Sequence, residues 1–142
     1  MVDSASSYIF DVRGLLALSK SSGNQFAVAM ADIDNREARI FSCAFNEFSN
    51  VYDDEAVIFK DHKFKKHPLS EEHRESIIAI AEGAKATFGF KGPYDKAVEW
   101  QIAGVACCDG DVVVTDEKGK SLYSQIDGLD AITFDEFLSR HE

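Results

Sequence analysis

Five acids in this chain stand where a divalent cation could be held: Asp11, Glu47, Asp95, Asp116 and Glu117. Asp11 follows the short apolar run Tyr8-Ile9-Phe10, and Asp116 and Glu117 follow Val112-Val113-Val114-Thr115. Carboxylates avoid low-dielectric surroundings unless something compensates their charge. Brought together, such acids repel and raise one another's pKa unless a cation joins them. Oxygen-only ligation selects Mg²⁺ or Mn²⁺, hard ions that keep several waters. An ion so held lowers the pKa of a bound water and can neutralise a leaving oxygen. Each acid also has a plainer reading. Asp11 could cap a helix through the backbone N–H groups that follow it, and Glu47 could be a surface residue beside an apolar stripe.

The elements must bring these acids together. Tyr8–Phe10 reads as a strand with Asp11 at its carboxyl end, followed by a turn and a helix carrying Leu15, Leu16 and Leu18. Residues 19–24 read as a loop, and 25–33 as strand or helix, because so short a run does not separate the two periods. Residues 39–43 form the expected second strand. From Ala44 the pattern turns helical, with Phe45, Phe48, Val51 and Tyr52 on one face and Glu47 beside it. Ser70 to His73 opens a helix that runs to about Phe88, with His73 where a capping box would place glutamate. Pro93-Tyr94-Asp95 opens the next helix. The turn Asp109-Gly110-Asp111 then leads into the strand that ends at Thr115. Lys118-Gly119-Lys120 reads as a turn before a short helix over 121–126. Residues 128–132 are a last strand, and a helix over 134–138 is capped by Thr133. Alternating elements of this kind predict one α/β domain with a mainly parallel sheet flanked by helices. Sites in such folds form at the carboxyl ends of the strands.

Composition narrows the function classes. At 142 residues and 45% apolar content the chain can bury a core unaided. No apolar run approaches the roughly 20 residues that span a bilayer, and no secretory signal is apparent, so a cytoplasmic protein is expected. Cys43, Cys107 and Cys108 form no C-x-x-C pair, and the four histidines show no ligand spacing. Cys107 and Cys108 are expected to pack at a helix end. The net charge of −10 opposes broad nonspecific affinity for nucleic acid. One basic cluster, residues 60–67, surrounds Phe64 with four lysines and two histidines. It reads as a solvated face or as a contact for a phosphate backbone.

The order strand-Asp, helix-Glu, helix-Asp, strand-Thr-acid resembles the PIN domain, the nuclease domain of VapC-type toxins. The similar stretches are YIFDVRGLL, AFNEF, PYDKAVEWQIAG, DVVVTDEKG and GLDAITFDEFL, with 36 residues between Asp11 and Glu47. The resemblance implies a single PIN-like domain over 1–142 and a Mg²⁺- or Mn²⁺-dependent endoribonuclease with Asp11, Glu47 and Asp95 as its first three acids. Asp116 or Glu117 supplies the fourth, since the family pattern of Thr, any residue, Asp is replaced by Thr115-Asp116-Glu117. It further implies an RNA substrate, an antitoxin protein partner, a homodimer and no membrane. Asp11-Val12-Arg13-Gly14 departs from the family's usual Asp-Thr-Asn, and Arg13 is expected to compete with a metal for the charge of Asp11. The alternative is a catalytically silent PIN-like module that binds RNA or a protein.

Overall fold

The computed structural model describes residues 7–21, 23–60, 63–88, 98–126 and 128–140. Five strands form one parallel sheet: β1 (Tyr8–Phe10), β2 (Ala38–Phe41), β3 (Lys66–His67), β4 (Val112–Thr115) and β5 (Asp130–Thr133), in the order β3-β2-β1-β4-β5. β1 lies at the centre, with Phe10 in register with Ile40 on one side and Val114 on the other. A central strand in an all-parallel sheet is covered on both faces, which is why β4 reads Val-Val-Val-Thr without alternation and is buried throughout. The α/β reading of the sequence therefore holds.

Among the described residues eight α-helices flank the sheet: α1 (Val12–Ser19), α2 (Gly23–Asp34), α3 (Ser42–Val51), α4 (Asp53–Ala56), α5 (Glu71–Phe88), α6 (Val98–Asp109), α7 (Glu117–Tyr123) and α8 (Phe134–Ser139). The ambiguous stretch 25–33 is helical, burying Ala29, Met30 and Ile33. β2 stops at Phe41, so Ser42 and Cys43 open α3 and do not extend the strand. β3 lies inside the basic cluster, where two residues with charged neighbours carry no strand pattern. The turn expected over 118–120 is instead the interior of α7, which starts as soon as β4 ends. Of the cysteine pair, Cys107 is half-buried but Cys108 is exposed, so only the first packs.

Local caps fix several boundaries. Ser70 Oγ accepts from the His73 N–H at 3.1 Å while the Ser70 N–H donates to His73 Nδ1 at 3.0 Å, a capping box closed by histidine. Thr133 and Glu136 close an ordinary one on α8. α5 and α6 pair closely because a Cβ on Gly104 would come within 2.6 Å of Ile77 Cα. Phe10 and Tyr8 meet Phe137 of α8 with ring centroids 5.3 and 5.1 Å apart, anchoring the last helix on the central strand. Each fully buried aromatic contributes about 1.5–3 kcal/mol.

Candidate functional site

The chain runs outward from β1 to β2 and β3, then returns to place β4 on the other flank of β1. The carboxyl ends of β1 and β4 thus border the switch in strand order, the place where ligands bind in open parallel sheets. Both strands end in the same device. Asp11 caps α1, its Oδ1 accepting the Gly14 N–H at 2.7 Å, and Asp116 caps α7, its Oδ1 accepting the Gly119 N–H at 2.8 Å. Each is an Asp-x-x-Gly, and each glycine is sterically required. A Cβ on Gly14 would strike the Val114 carbonyl of the neighbouring strand, and one on Gly119 would strike the Thr115 hydroxyl.

Asp11 is only 2% exposed. Its Oδ2 accepts from Thr115 Oγ1 at 2.8 Å and from the Tyr123 hydroxyl at 2.9 Å. Burial pushes its carboxyl up to about 6; the three hydrogen bonds oppose that rise, and the charge of Asp116 adds to it. Tyr123 is held well above the usual tyrosine range by its own burial and then by Asp11, with Glu99 adding to the effect. It is therefore a neutral donor at any ordinary pH. Asp116 Oδ2 meets Arg13 Nη1 at 3.3 Å, with the side chains 41% and 45% exposed. Arg13 pairs with Asp116, not with Asp11 as the sequence suggested. Its stem has room because Gly119 lacks a Cβ, whose ideal position is 3.1 Å from Arg13 Cδ.

The other acids divide. Glu117 is the first residue of α7 and exposed, beside Asp116 on the rim of a cleft of about 350 Å³ that Lys20, Ser21 and Gln25 also line. Glu47 is exposed on α3. Asp95 lies outside the described residues. The acid that sequence reasoning missed is Glu99, half-buried in the first turn of α6 and close enough for its charge to act on Tyr123. A signal existed. Glu99 is the one charge in the run Val98-Glu99-Trp100, whose other two members are buried.

Among the described residues, Asp11, Glu47, Asp116 and Glu117 do not form a three-ligand group within 4.8 Å; His73, Cys108 and Asp109 do. That second cluster is an ion-pair network. Asp109 accepts from Arg39 at 2.8 Å, Asp111 also pairs with Arg39, and His73 lies 2.9 Å from Asp109. Because His73 Nδ1 accepts from Ser70, the neutral ring carries its proton on Nε2 and donates to Asp109. Arg39 already supplies the positive charge there. The Asp11 site lacks such compensation: among the described residues its buried carboxylate has no ion-pair partner, Asp116 adds negative charge, and the side chains that meet it, Thr115 and Tyr123, present oxygens. A hard ion that keeps most of its waters needs only one or two carboxylates, so these residues fit Mg²⁺ or Mn²⁺.

The chain matches no protein-family model and no curated protein. Solved structures do match it. The DNA-bound VapBC from Salmonella typhimurium aligns with a TM-score of 0.66 at 17% identity, covering 90% of this chain and 98% of that one. VapBC2 from Rickettsia felis, bound to a DNA fragment from its promoter, aligns at 0.62 with 14% identity, covering 89% and 97%. A crystal structure from Pyrobaculum aerophilum aligns at 0.57 with 21% identity, covering 96% and 95%. The fold is PIN-like. In this PIN-like sheet the twin Asp-x-x-Gly caps put Asp11 and Asp116 side by side at the strand ends. Among the described residues no helix is long and apolar enough to cross a membrane.

Proposed function

We propose that this chain is a metal-dependent endoribonuclease, acting as the toxin of a toxin–antitoxin pair. The observation that carries the reading is Asp11, a buried carboxylate with no ion-pair partner among the described residues, next to Asp116 at the strand-order switch of a PIN-like fold. Asp11 and Asp116 would hold Mg²⁺ or Mn²⁺, with Glu99 of α6 or else Asp95 completing the set and Glu47 and Glu117 as outer acids. When bound, the ion supplies an activated water and neutralises the leaving oxygen. The protein's own groups do the positioning. Thr115 and Tyr123 fix Asp11 Oδ2 by donating to it, and the Gly14 N–H fixes Oδ1. Tyr123, kept neutral, cannot add a competing charge. Arg13, half-exposed beside Asp116, can turn its free N–H groups to a substrate phosphate. VapBC neighbours support the idea of a protein partner for this chain.

The test is cleavage of a labelled single-stranded RNA by purified protein with Mn²⁺, with EDTA, and in Asp11→Asn and Asp116→Asn variants. Cleavage that requires the metal and is lost in both variants is the expected result. Cleavage that survives EDTA or Asp11→Asn would remove the reading. Comparing Glu99→Gln with Asp95→Asn decides which of the two acids serves: the true ligand loses more activity than the roughly 10–100-fold that removing an outer, ligand-orienting group costs. The rival reading, a silent PIN-like module, draws on the Arg13–Asp116 pair, which already neutralises one acid. Its signature is wild-type protein that binds RNA or a protein and cleaves nothing with either ion.

A further inference from the structure

The basic cluster is not a featureless solvated face. Phe45 of α3, Phe59 and Phe64 form a three-ring corner: Phe45 lies 5.6 Å from Phe59 and 5.4 Å from Phe64, and Phe59 lies 5.8 Å from Phe64. Phe59 is 4% exposed and makes the floor, while Phe45 and Phe64 are partly open walls. Over them sits the Lys66 ammonium, 4.9 Å from the Phe45 ring and 4.8 Å from the Phe64 ring. Lys60 and Lys63 complete the rim of a cleft of about 670 Å³, with Ser49 and one acid, Asp53. Pockets of about 300–1,000 Å³ hold small ligands or parts of larger ones.

We propose that this cleft docks single-stranded RNA, with a base on the Phe45–Phe64 corner and the adjoining phosphates on Lys60, Lys63 and Lys66. Nonspecific single-strand sites combine these two features, a positive groove and aromatic rings on which bases stack. Charge favours this occupant. In a chain of net charge −10, four of its fifteen lysines and arginines fall within residues 60–66. Cation–π seating keeps the Lys66 ammonium over the rings until a base takes its place, when it is free to meet a phosphate. Position favours it too. β3 is two strands from β1, about 10 Å along the sheet edge, and α3 carries both Phe45 and Glu47. RNA held here can reach the Asp11 end of the sheet. The proposal rests on the nuclease reading for its choice of polymer.

The experiment is anisotropy of a fluorescein-labelled, mixed-sequence single-stranded RNA in EDTA, where binding is read without cleavage. The proteins are wild type, Lys63→Ala/Lys66→Ala, Phe64→Leu, and the exposed α5 control Arg74→Ala, with thermal melts confirming that each is folded. The double variant is expected to weaken binding by about tenfold and to flatten the log–log salt slope by about 1.4, two contacts at about 0.7 each. Phe64→Leu should weaken binding about fivefold with no change in slope, since stacking is lost and charge is not. Arg74→Ala should bind as wild type does. Equal affinity and slope in the double variant overturn the proposal, as does a wild type that binds no RNA, which leaves the cleft to a protein partner. The two readings fail separately. Wild-type cleavage that is undiminished in the double variant sinks only the docking, whereas cleft-dependent binding without metal-dependent cleavage sinks only the nuclease.

Discussion

Asp11 remains charged at neutral pH while 2% exposed, and that makes it a liability to folding. Its ordinary value of 3.8 rises to about 6 in the native protein because burial disfavours the charge. Between those values the folded chain keeps a proton that the unfolded chain has released. Stability therefore falls as pH climbs: the contribution of protonated Asp11 is complete below about 3.8 and gone above about 6. The displacement is worth about 3 kcal/mol. Asp11→Asn, an uncharged near-isostere, should thus match wild type in denaturant melts at pH 3.5 and exceed it by up to that amount at pH 8. A gain of equal size at both pH values would show that charge burial is not its source. Arg13 acts in the opposite sense, since it satisfies Asp116 with a charge that a metal would otherwise supply. A half-exposed ion pair is worth about 0–1 kcal/mol, so Arg13→Ala should tighten Mn²⁺ binding by a few-fold in calorimetric titration. Weaker binding would mean that Arg13 supports the site and does not compete for it.

At the scale of elements, the site is made by two strand-to-helix corners that leave no space for a side chain. Gly14→Ala forces a methyl against the Val114 carbonyl, and Gly119→Ala forces one against Thr115. Each should lower stability by about 1–3 kcal/mol, the usual cost of overpacking. Gly23→Ala, with nothing within 4 Å of its would-be Cβ, should not. Midpoints of urea denaturation decide the matter, and a neutral Gly119→Ala would show that α7 can shift away from β4. These corners also explain what could be read in advance. Asp11 follows an apolar run directly and Asp116 follows one after Thr115, and the Ser70–His73 and Thr133–Glu136 caps are local patterns, so all were visible in the chain order. Other features depended on partners far along the sequence. The Arg13–Asp116 pair joins residues 103 positions apart. β3 is two charged or aromatic residues held by pairing with Ile40 and Phe41. The start of α7 was hidden because Lys118-Gly119-Lys120 has turn composition, while Gly119 is there for its closeness to Thr115. Glu99 escaped notice because Asp95 already filled the expected place before the strand.

Over the whole molecule, a net charge of −10 makes self-repulsion a general cost of compactness. Any salt relieves part of it by screening, so a divalent ion must be judged against a monovalent salt of matched ionic strength. A specific ion does more. Bound only by the native state, and present at about 100 times its dissociation constant, it adds about 2.7 kcal/mol. For a chain of this length that corresponds to a rise in melting temperature of about 8 °C. The rise should be greatest above pH 6, where Asp11 is ionised and uncompensated, and smaller at pH 5, where the ion must first displace a proton. Differential scanning of wild type and Asp11→Asn in Mn²⁺ against matched NaCl separates the two contributions. Screening lifts both proteins equally; site binding lifts only wild type. Equal increments in both proteins, unchanged between pH 5 and pH 8, would leave the acids at the strand ends as helix caps and nothing more.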